Sequence, residues 1–444
     1  MPTLFDPNLV KTLAEDCAFL KKTQLPIVTI SATFREDLKR LHGLPNNNTT
    51  RDIVFSRAHY SMALAIATAA WGKKISPAQA WIVDPTNYVN HKDWFSITLT
   101  EEIGKTIARH SILKTLKDIV DRFGRKKLPI LSSITPPLLY LTEHINQPIL
   151  SLHIAAGNII ADQGKSVLQV ITDPHVRDEY VAHADNPRVH YAVFDEATRI
   201  EFLEKAALFN KKADPDRVIV TGPPVDERVL SARKLKHAWR SGPLKLCITT
   251  GGLGTNKEEI ISIVRQLLPL LRKRPSPLKL IVYTSTHKDI ADAVQECAAA
   301  ARVAIEPLHK TSADLRLIYH PQIVDANELL IKYGFPWADG FITKPSGDMA
   351  YDAVAAGSFL LTLPEWGEWE ENIRERFEQK AISRRAHVEH IAEQLEVLMN
   401  PQGKAQSWIE QAMLQAASID PLYLHGAAKI LTAYKNFVTN TTPR

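Results

Sequence analysis

Residues able to do chemistry collect where short apolar runs give way to glycine. Ile248–Glu259 reads ITTGGLGTNKEE and Ile342–Gly357 reads ITKPSGDMAYDAVAAG. Each passes from a strand-like run through a turn into a helix-like run. Gly251, Gly252 and Gly254 in the first, and Ser346 and Gly347 in the second, let backbone N–H groups approach an anion at a helix start. A glycine turn is also the ordinary way to join strand to helix, but two in one half of the chain shift the balance towards phosphate. Asp348 opposes this: in the first turn of a helix its own charge satisfies the dipole and competes with a bound anion. Asp352 lies one helical turn further in, as an exposed helix acid or as a bidentate acceptor for ribose hydroxyls. In EWGEWEEN, Glu368, Glu371 and Asn372 offer acceptors for sugar hydroxyls beside Trp366 or Trp369, or simply make an acidic helix start.

The first half carries fewer such groups. His59 opens a helix of small residues in FSRAHYSMALAIATAAWG, as a base or, more commonly, as a capping residue. Asp173 and His175 stand at a strand end in VITDPHV, where a turn Asp ahead of proline is the plainer reading. The stretch 101–127 sets Ile and Leu at helical spacing among Lys105, Arg109, Lys114, Lys117, Arg122, Arg125, Lys126 and Lys127. Such a helix can lie on an anionic membrane surface, though more often it is a solvated cover for a sheet.

Alternating β-rich and helical runs must position these groups, which predicts an α/β fold with parallel sheets. Strands are expected at 27–31, 80–83, 130–133, 149–152, 167–172, 189–193 and 217–221. A second series follows in LKLCITTGG, LKLIVYTS, ARVAIEPL, GFITKP and SFLLTLP. With 444 residues, two domains are expected: residues 1–225, a linker 226–243, a second domain 244–404, and C-terminal helices 405–444. Hydrophobic residues at 45%, charged residues at 23% and a net charge of +5 suit a folded protein and no dedicated nucleic-acid binder. Cys17, Cys247 and Cys297 are too scattered for a metal motif and read as reduced thiols. No signal sequence and no run long enough to span a membrane is evident, so a cytoplasmic protein is expected, peripheral at most on the inner membrane face.

In order along the chain, these segments resemble the GT-B glycosyltransferases. The similarity is strongest to the lineage of monogalactosyldiacylglycerol synthase, processive diacylglycerol glucosyltransferase and the lipid-intermediate N-acetylglucosaminyltransferase. That lineage carries K-P-G-G-L-T-x-S-E-A-L-A-A-G and then G-Q-E-x-x-N, where this chain has KPSGDMAYDAVAAG and then GEWEEN. SRAHYSMALAIATA, WIVDPTNY, VITDPHV and DPDRVIVTGPPV are similar to its first-half segments. The resemblance covers about 53–382. It departs at Ser56-Arg57-Ala58, where the lineage has Gly-x-Gly, and at Asp348 and Glu368, the latter replacing a Gln.

The resemblance implies two Rossmann-like domains facing a cleft, with a C-terminal helix crossing back to the first. It implies transfer of a hexosyl group from a UDP-sugar to an acceptor hydroxyl, with a membrane lipid as the family's precedent, and no cofactor or metal. Gly251, Gly252, Gly254, Ser346 and Gly347 would hold the diphosphate. Val324 would meet uracil through its backbone, Asp352 the ribose, and Glu368 and Asn372 the hexose. His59 would be the base, with Asp84, Asp173 and His175 on the acceptor side. A non-catalytic GT-B-like binding protein is the alternative. A sugar-nucleotide epimerase of the same fold is a further one, for which the sequence has no motif.

Overall fold

The computed structural model describes residues 7–33, 52–89, 129–401 and 406–441; the basic stretch at 101–127 lies outside them. The described residues form two compact units, one running to Glu227 and resuming at Pro421, the other spanning Arg228–Asp420. Among them, no helix is long and apolar enough to cross a membrane.

The first unit contains α1 (Pro7–Lys22), β1 (Leu25–Val28), α2 (Arg57–Trp71), β2 (Ala80–Val83), α3 (Pro129–Thr142), β3 (Ile149–Ser151), α4 (Ile154–Asp162), β4 (Val167–Val170), β5 (Val189–Val193), α5 (Glu196–Leu208) and β6 (Val218–Val220). Its strands pair in parallel in the order β2-β1-β3-β4-β5-β6. Strands β1, β3 and β4 are buried at every position, as expected of parallel strands covered on both faces. The strand expected at 130–133 is instead part of α3. Ile134, Leu138 and Leu141, all fully buried, continue the apolar pattern at helical spacing, which a four-residue window does not capture.

In the second unit, α6 (Glu227–Arg233) leads into β7 (Leu244–Thr249), α7 (Lys257–Leu271), β8 (Leu278–Ser285), α8 (Lys288–Ala300), β9 (Leu315–Tyr319), α9 (Ile323–Tyr333), β10 (Gly340–Thr343), α10 (Met349–Ala355), β11 (Phe359–Thr362), α11 (Glu368–Gln379), β12 (Ser383–Arg385), α12 (Ile391–Met399) and α13 (Trp408–Ala417). The sheet is again parallel, ordered β12-β11-β10-β7-β8-β9. Helix α7 buries Ile260, Ile263, Val264, Leu267, Leu268 and Leu271 along one stripe, the amphipathic spacing of a helix lying on a sheet. ARVAIEPL contributes only a bridge from Ile305 to Leu315; the strand is LRLIY, β9. Arg316 hides that strand in the sequence. It is 1% exposed, donates to the Leu308 carbonyl at 2.9 Å and stacks 4.3 Å over Trp337.

Within the segment 226–243, expected as a linker, Lys236 is pinned to the second unit. The Lys236 ammonium donates to the carbonyls of Phe335 and Ala338 and to Ser358 Oγ at 2.7–2.8 Å, and burial lowers its pKa to about 7. The expected tail at 405–444 is divided. Helix α13 packs on α10, α12 and β11 of the second unit, whereas α14 (Gly426–Thr441) packs on α2 of the first. Tyr434 Oη donates to the Pro148 carbonyl at 2.7 Å, and Phe437 stacks on His190 at 3.9 Å. The returning chain crosses Gly222, whose φ is +86° and whose Cβ, if present, would lie 1.9 Å from the Leu422 carbonyl oxygen. Gly222→Ala should therefore cost about 2–4 kcal/mol through backbone strain and overlap. A thermal melt and limited digestion of the C-terminus would read this; an unchanged melt would contradict it.

Candidate functional site

The second sheet reverses its strand order between β7 and β10, so the chain leaves their carboxyl ends in opposite directions. A doubly wound sheet opens its ligand crevice at that point. Both expected turns start there. Thr249, ending β7, donates its hydroxyl to Thr343 Oγ1, ending β10, at 2.6 Å. Beyond Thr249 the chain turns tightly. Gly254 has φ +67° and donates its N–H to the Gly251 carbonyl at 2.9 Å. Thr250 Oγ1 donates to the Thr255 carbonyl at 3.0 Å, and His287 Nε2 to the Gly252 carbonyl at 3.0 Å. Asn256 then enters α7 in the left-handed conformation without a side-chain cap, leaving the helix's first N–H groups without that partner. A Cβ on Gly251 would lie 2.7 Å from Thr255 Oγ1 and 3.4 Å from Lys344 Cδ. Gly251, Gly252, Gly254 and the uncapped start of α7 thus form one tight turn, bordered by the Lys344 side chain.

The turn after β10 is built differently. Ser346 Oγ donates to Asp348 Oδ1 at 2.7 Å and accepts the Met349 N–H at 3.3 Å. Asp348 is 6% exposed, so Ser346 and Gly347 stand beside a buried carboxylate and an added anion would meet a like charge. Asp352, on the following turn of α10, is also buried. Val324 sits at the exposed start of α9, whose N-cap Gln322 gives no side-chain capping bond. Glu368 is exposed at the first position of α11, and Asn372 is half-buried.

The main group that sequence reasoning missed is an ion pair between these motifs. Lys344 Nζ lies 2.5 Å from Glu370 Oε1, with the Glu370 side chain 1% exposed. The other oxygen, Oε2, accepts the Trp366 N–H at 2.7 Å. Nearby, buried Arg374 gathers Glu365, Glu371, Glu375 and Glu378. Burial opposes its charge, but Glu365 and Glu378 outweigh it and hold the guanidinium pKa up. Lys344 and Glu370 both lie inside the quoted motifs, yet no periodicity links them.

In the first unit the order reverses between β1 and β3, and His59 stands at that reversal. Ser56 has ordinary extended backbone and caps α2 by accepting the His59 N–H, so this turn does not need glycine. His59 Nδ1 is 3.3 Å from the Ile30 carbonyl beyond β1, and Nε2 is 3.2 Å from Thr172 Oγ1 beyond β4. A carbonyl only accepts, so in the neutral ring Nδ1 carries the proton and Nε2 accepts from Thr172. Thr172 in turn hydrogen-bonds buried Tyr180, whose phenol pKa burial raises. His153, beyond β3, packs edge-on against His59 at 5.1 Å.

The other three first-half candidates are less open. Asp84 is fully buried. Its Oδ2 accepts from Ser31 N, Ser31 Oγ and Ala32 N, and its Oδ1 from Thr86 N and Oγ1, at 2.6–3.0 Å. Burial pushes its pKa up against these bonds. Asp84 therefore fixes the loop that carries the Ile30 carbonyl and has no oxygen left over for an acceptor. His175 pairs with Glu201 at 3.3 Å, and Asp173 lies 3.9 Å from Arg177. Among the described residues, no cluster of three or more His, Cys, Asp or Glu side chains could hold a metal ion.

Burial, then the neighbouring His59 and Arg177, hold the His153 pKa well below its usual value. A histidine neutral when folded takes up its proton on unfolding, so its contribution is complete above pH 6.5 and falls away as pH drops below that. His153 Nδ1 caps α4 by accepting the Ala155 N–H at 3.2 Å, a bond that Asn can replace. The stability gap between wild type and His153→Asn should therefore shift towards the variant from pH 7.5 to 5, by up to about 1.4 kcal/mol per unit below pH 6.5. A gap that stays constant in thermal melts would contradict this.

No family model and no curated protein matches the sequence. Solved structures match the fold. UDP-GlcNAc 2-epimerase of Neisseria meningitidis, bound to UDP-GlcNAc, superposes with a TM-score of 0.53 at 13% identity, over 93% of this chain and 99% of that one. Trehalose 6-phosphate synthase of Burkholderia multivorans gives 0.53 at 11% identity, over 95% and 100%. A putative UDP-N-acetylglucosamine 2-epimerase of Listeria monocytogenes gives 0.52 at 12% identity, over 95% and 99%. With its two six-stranded parallel sheets, the chain has the two-domain α/β architecture of the GT-B fold.

Proposed function

We propose that the protein is a glycosyltransferase that moves a hexosyl group from a UDP-sugar to an acceptor hydroxyl. The observation that carries this reading is the glycine turn at β7–α7, bordered by Lys344 at the order reversal of the second sheet. The donor diphosphate is assigned to Gly251, Gly252, Gly254 and the first N–H groups of α7. Ser346 and Gly347 shape its border without binding it, because Asp348 is buried beside them. Val324 meets uracil through its backbone, Asp352 the ribose, and Glu368 and Asn372 the hexose. The resemblance to the lipid glycosyltransferase lineage favours a membrane lipid as acceptor.

His59 is the base. Its Nδ1–H is held by the Ile30 carbonyl, which leaves Nε2 to take a proton once Thr172 yields its place. The acceptor oxygen attacks the anomeric carbon, its proton passes to His59, and the bond to the diphosphate breaks. Fixed N–H groups and the dipole of α7 stabilise the leaving charge. Asp84 supports the base indirectly by holding the loop after β1.

Epimerases share this fold, and a sugar-nucleotide epimerase would use the same donor half. The pairing of Glu370 with Lys344, and of Glu365 and Glu371 with Arg374, favours transfer, since it occupies acids that base chemistry on the sugar would need. Purified protein should release UDP from a UDP-hexose only when an acceptor, lipid or soluble, is supplied. His59→Ala should lower turnover at least ~100-fold while leaving UDP affinity within about twofold. Gly251→Val should weaken UDP about tenfold or more by filling the turn. Turnover retained by His59→Ala would remove the assigned base, and a wild type that binds UDP yet never transfers would favour the non-catalytic alternative.

A further inference from the structure

Lys344 and Glu370 are placed as a device for controlling charge at the glycine turn. Lys344 is the first residue beyond β10, and its Cδ and Cε pass 3.4 and 3.9 Å from the Cβ position of Gly251. Its ammonium lies one bond further on, at the border of the turn, and ends on Glu370 Oε1 at 2.5 Å. The two side chains are only 16% and 1% exposed. Glu370 is rigid: it sits in the first turn of α11, and its second oxygen is held by the Trp366 N–H. Lys344 is the mobile member, with four rotatable carbons in its stem and three donors on its ammonium.

A buried carboxylate that loses its cation is strongly disfavoured. Any diphosphate at the glycine turn therefore acts on a lysine already committed to another anion. It either draws the ammonium off Glu370 or must share it. We propose that Lys344 is the cationic partner of the donor diphosphate and that Glu370 is an internal competitor for it. Donor binding then exchanges one anion for another at a single ammonium, and Glu370 sets the donor affinity. This rests on the donor assignment made above and adds a determinant that assignment does not contain.

The exchange predicts a sign that a purely structural ion pair does not. Glu370→Gln keeps an acceptor for the Trp366 N–H, removes the competing charge and frees the ammonium, so UDP should bind about 3- to 10-fold more tightly. Lys344→Met should bind UDP at least tenfold more weakly. Adding Glu370→Gln to Lys344→Met should restore nothing, because the gain passes through the lysine. Uridine, with no phosphate, should be nearly indifferent to either change. Should Glu370→Gln melt early, Glu370→Asp, which keeps the charge but lengthens the contact, should still bind UDP more tightly than wild type.

Calorimetric titration of these proteins with UDP and with uridine measures all of this. If wild type binds UDP while Glu370→Gln binds it equally or more weakly, the competition is refuted and the donor assignment stands. If wild type and Glu370→Gln both fail to bind UDP, the donor assignment falls and the competition with it.

Discussion

Parallel strands cannot be joined by short hairpins, so each crossover must pass over a face of the sheet and return. Where successive crossovers change direction, two neighbouring strands release their carboxyl ends away from each other, and the gap stays uncovered. In this protein the change falls between β7 and β10 in one unit and between β1 and β3 in the other. The glycine turn, Lys344, Asp352 and His59 stand within a few residues of one of those strand ends or on a helix leading from them, whereas Thr172 follows β4, Val324 follows β9, and Glu368, Glu370 and Asn372 follow β11. The threonine pair Thr249–Thr343 ties the two strand ends at the first junction, and beside the second the Ile30–His59–Thr172 chain links the segment after β1 to that after β4.

The two junctions carry opposite chemical character. Around β7 the chain supplies N–H groups, a helix start and a lysine, a set that favours negative charge. Around β1 it supplies a histidine with one nitrogen fixed by a carbonyl and the other facing a hydroxyl, a set that accepts a proton. Carboxylates are plentiful nearby but mostly committed. Asp84 binds a loop, Glu370 binds Lys344, and four glutamates share Arg374. Asp348 is the group most at odds with an anion site, and it is buried beside Ser346, so of the two turns expected to hold the diphosphate the one after β7 is the less opposed.

Much of this was legible in the sequence because it rests on local signals. Strand-glycine-helix junctions, apolar runs buried on both faces and the stripe of α7 all follow from near neighbours in the chain. What was missed depends on residues outside the short window in which each stretch is read. LRLIY did not read as a strand because it carries an arginine, which the fold buries against the Leu308 carbonyl and the Trp337 ring. Residues 130–133 read as a strand because the helical pattern that decides them lies further on, at Ile134, Leu138 and Leu141. Asp84 was expected to face an acceptor, and only its contacts with Ser31 and Ala32 reveal it as a loop clamp. His153 drew no attention in the sequence, since only folding places it against His59.

The account depends most on the glycine turn being a nucleoside diphosphate seat. Calorimetric titration of the wild-type protein with UDP, alongside ADP and GDP, tests that directly. Selective binding of UDP is the predicted result. Binding of none of the three, or equal binding of all of them, would contradict the account.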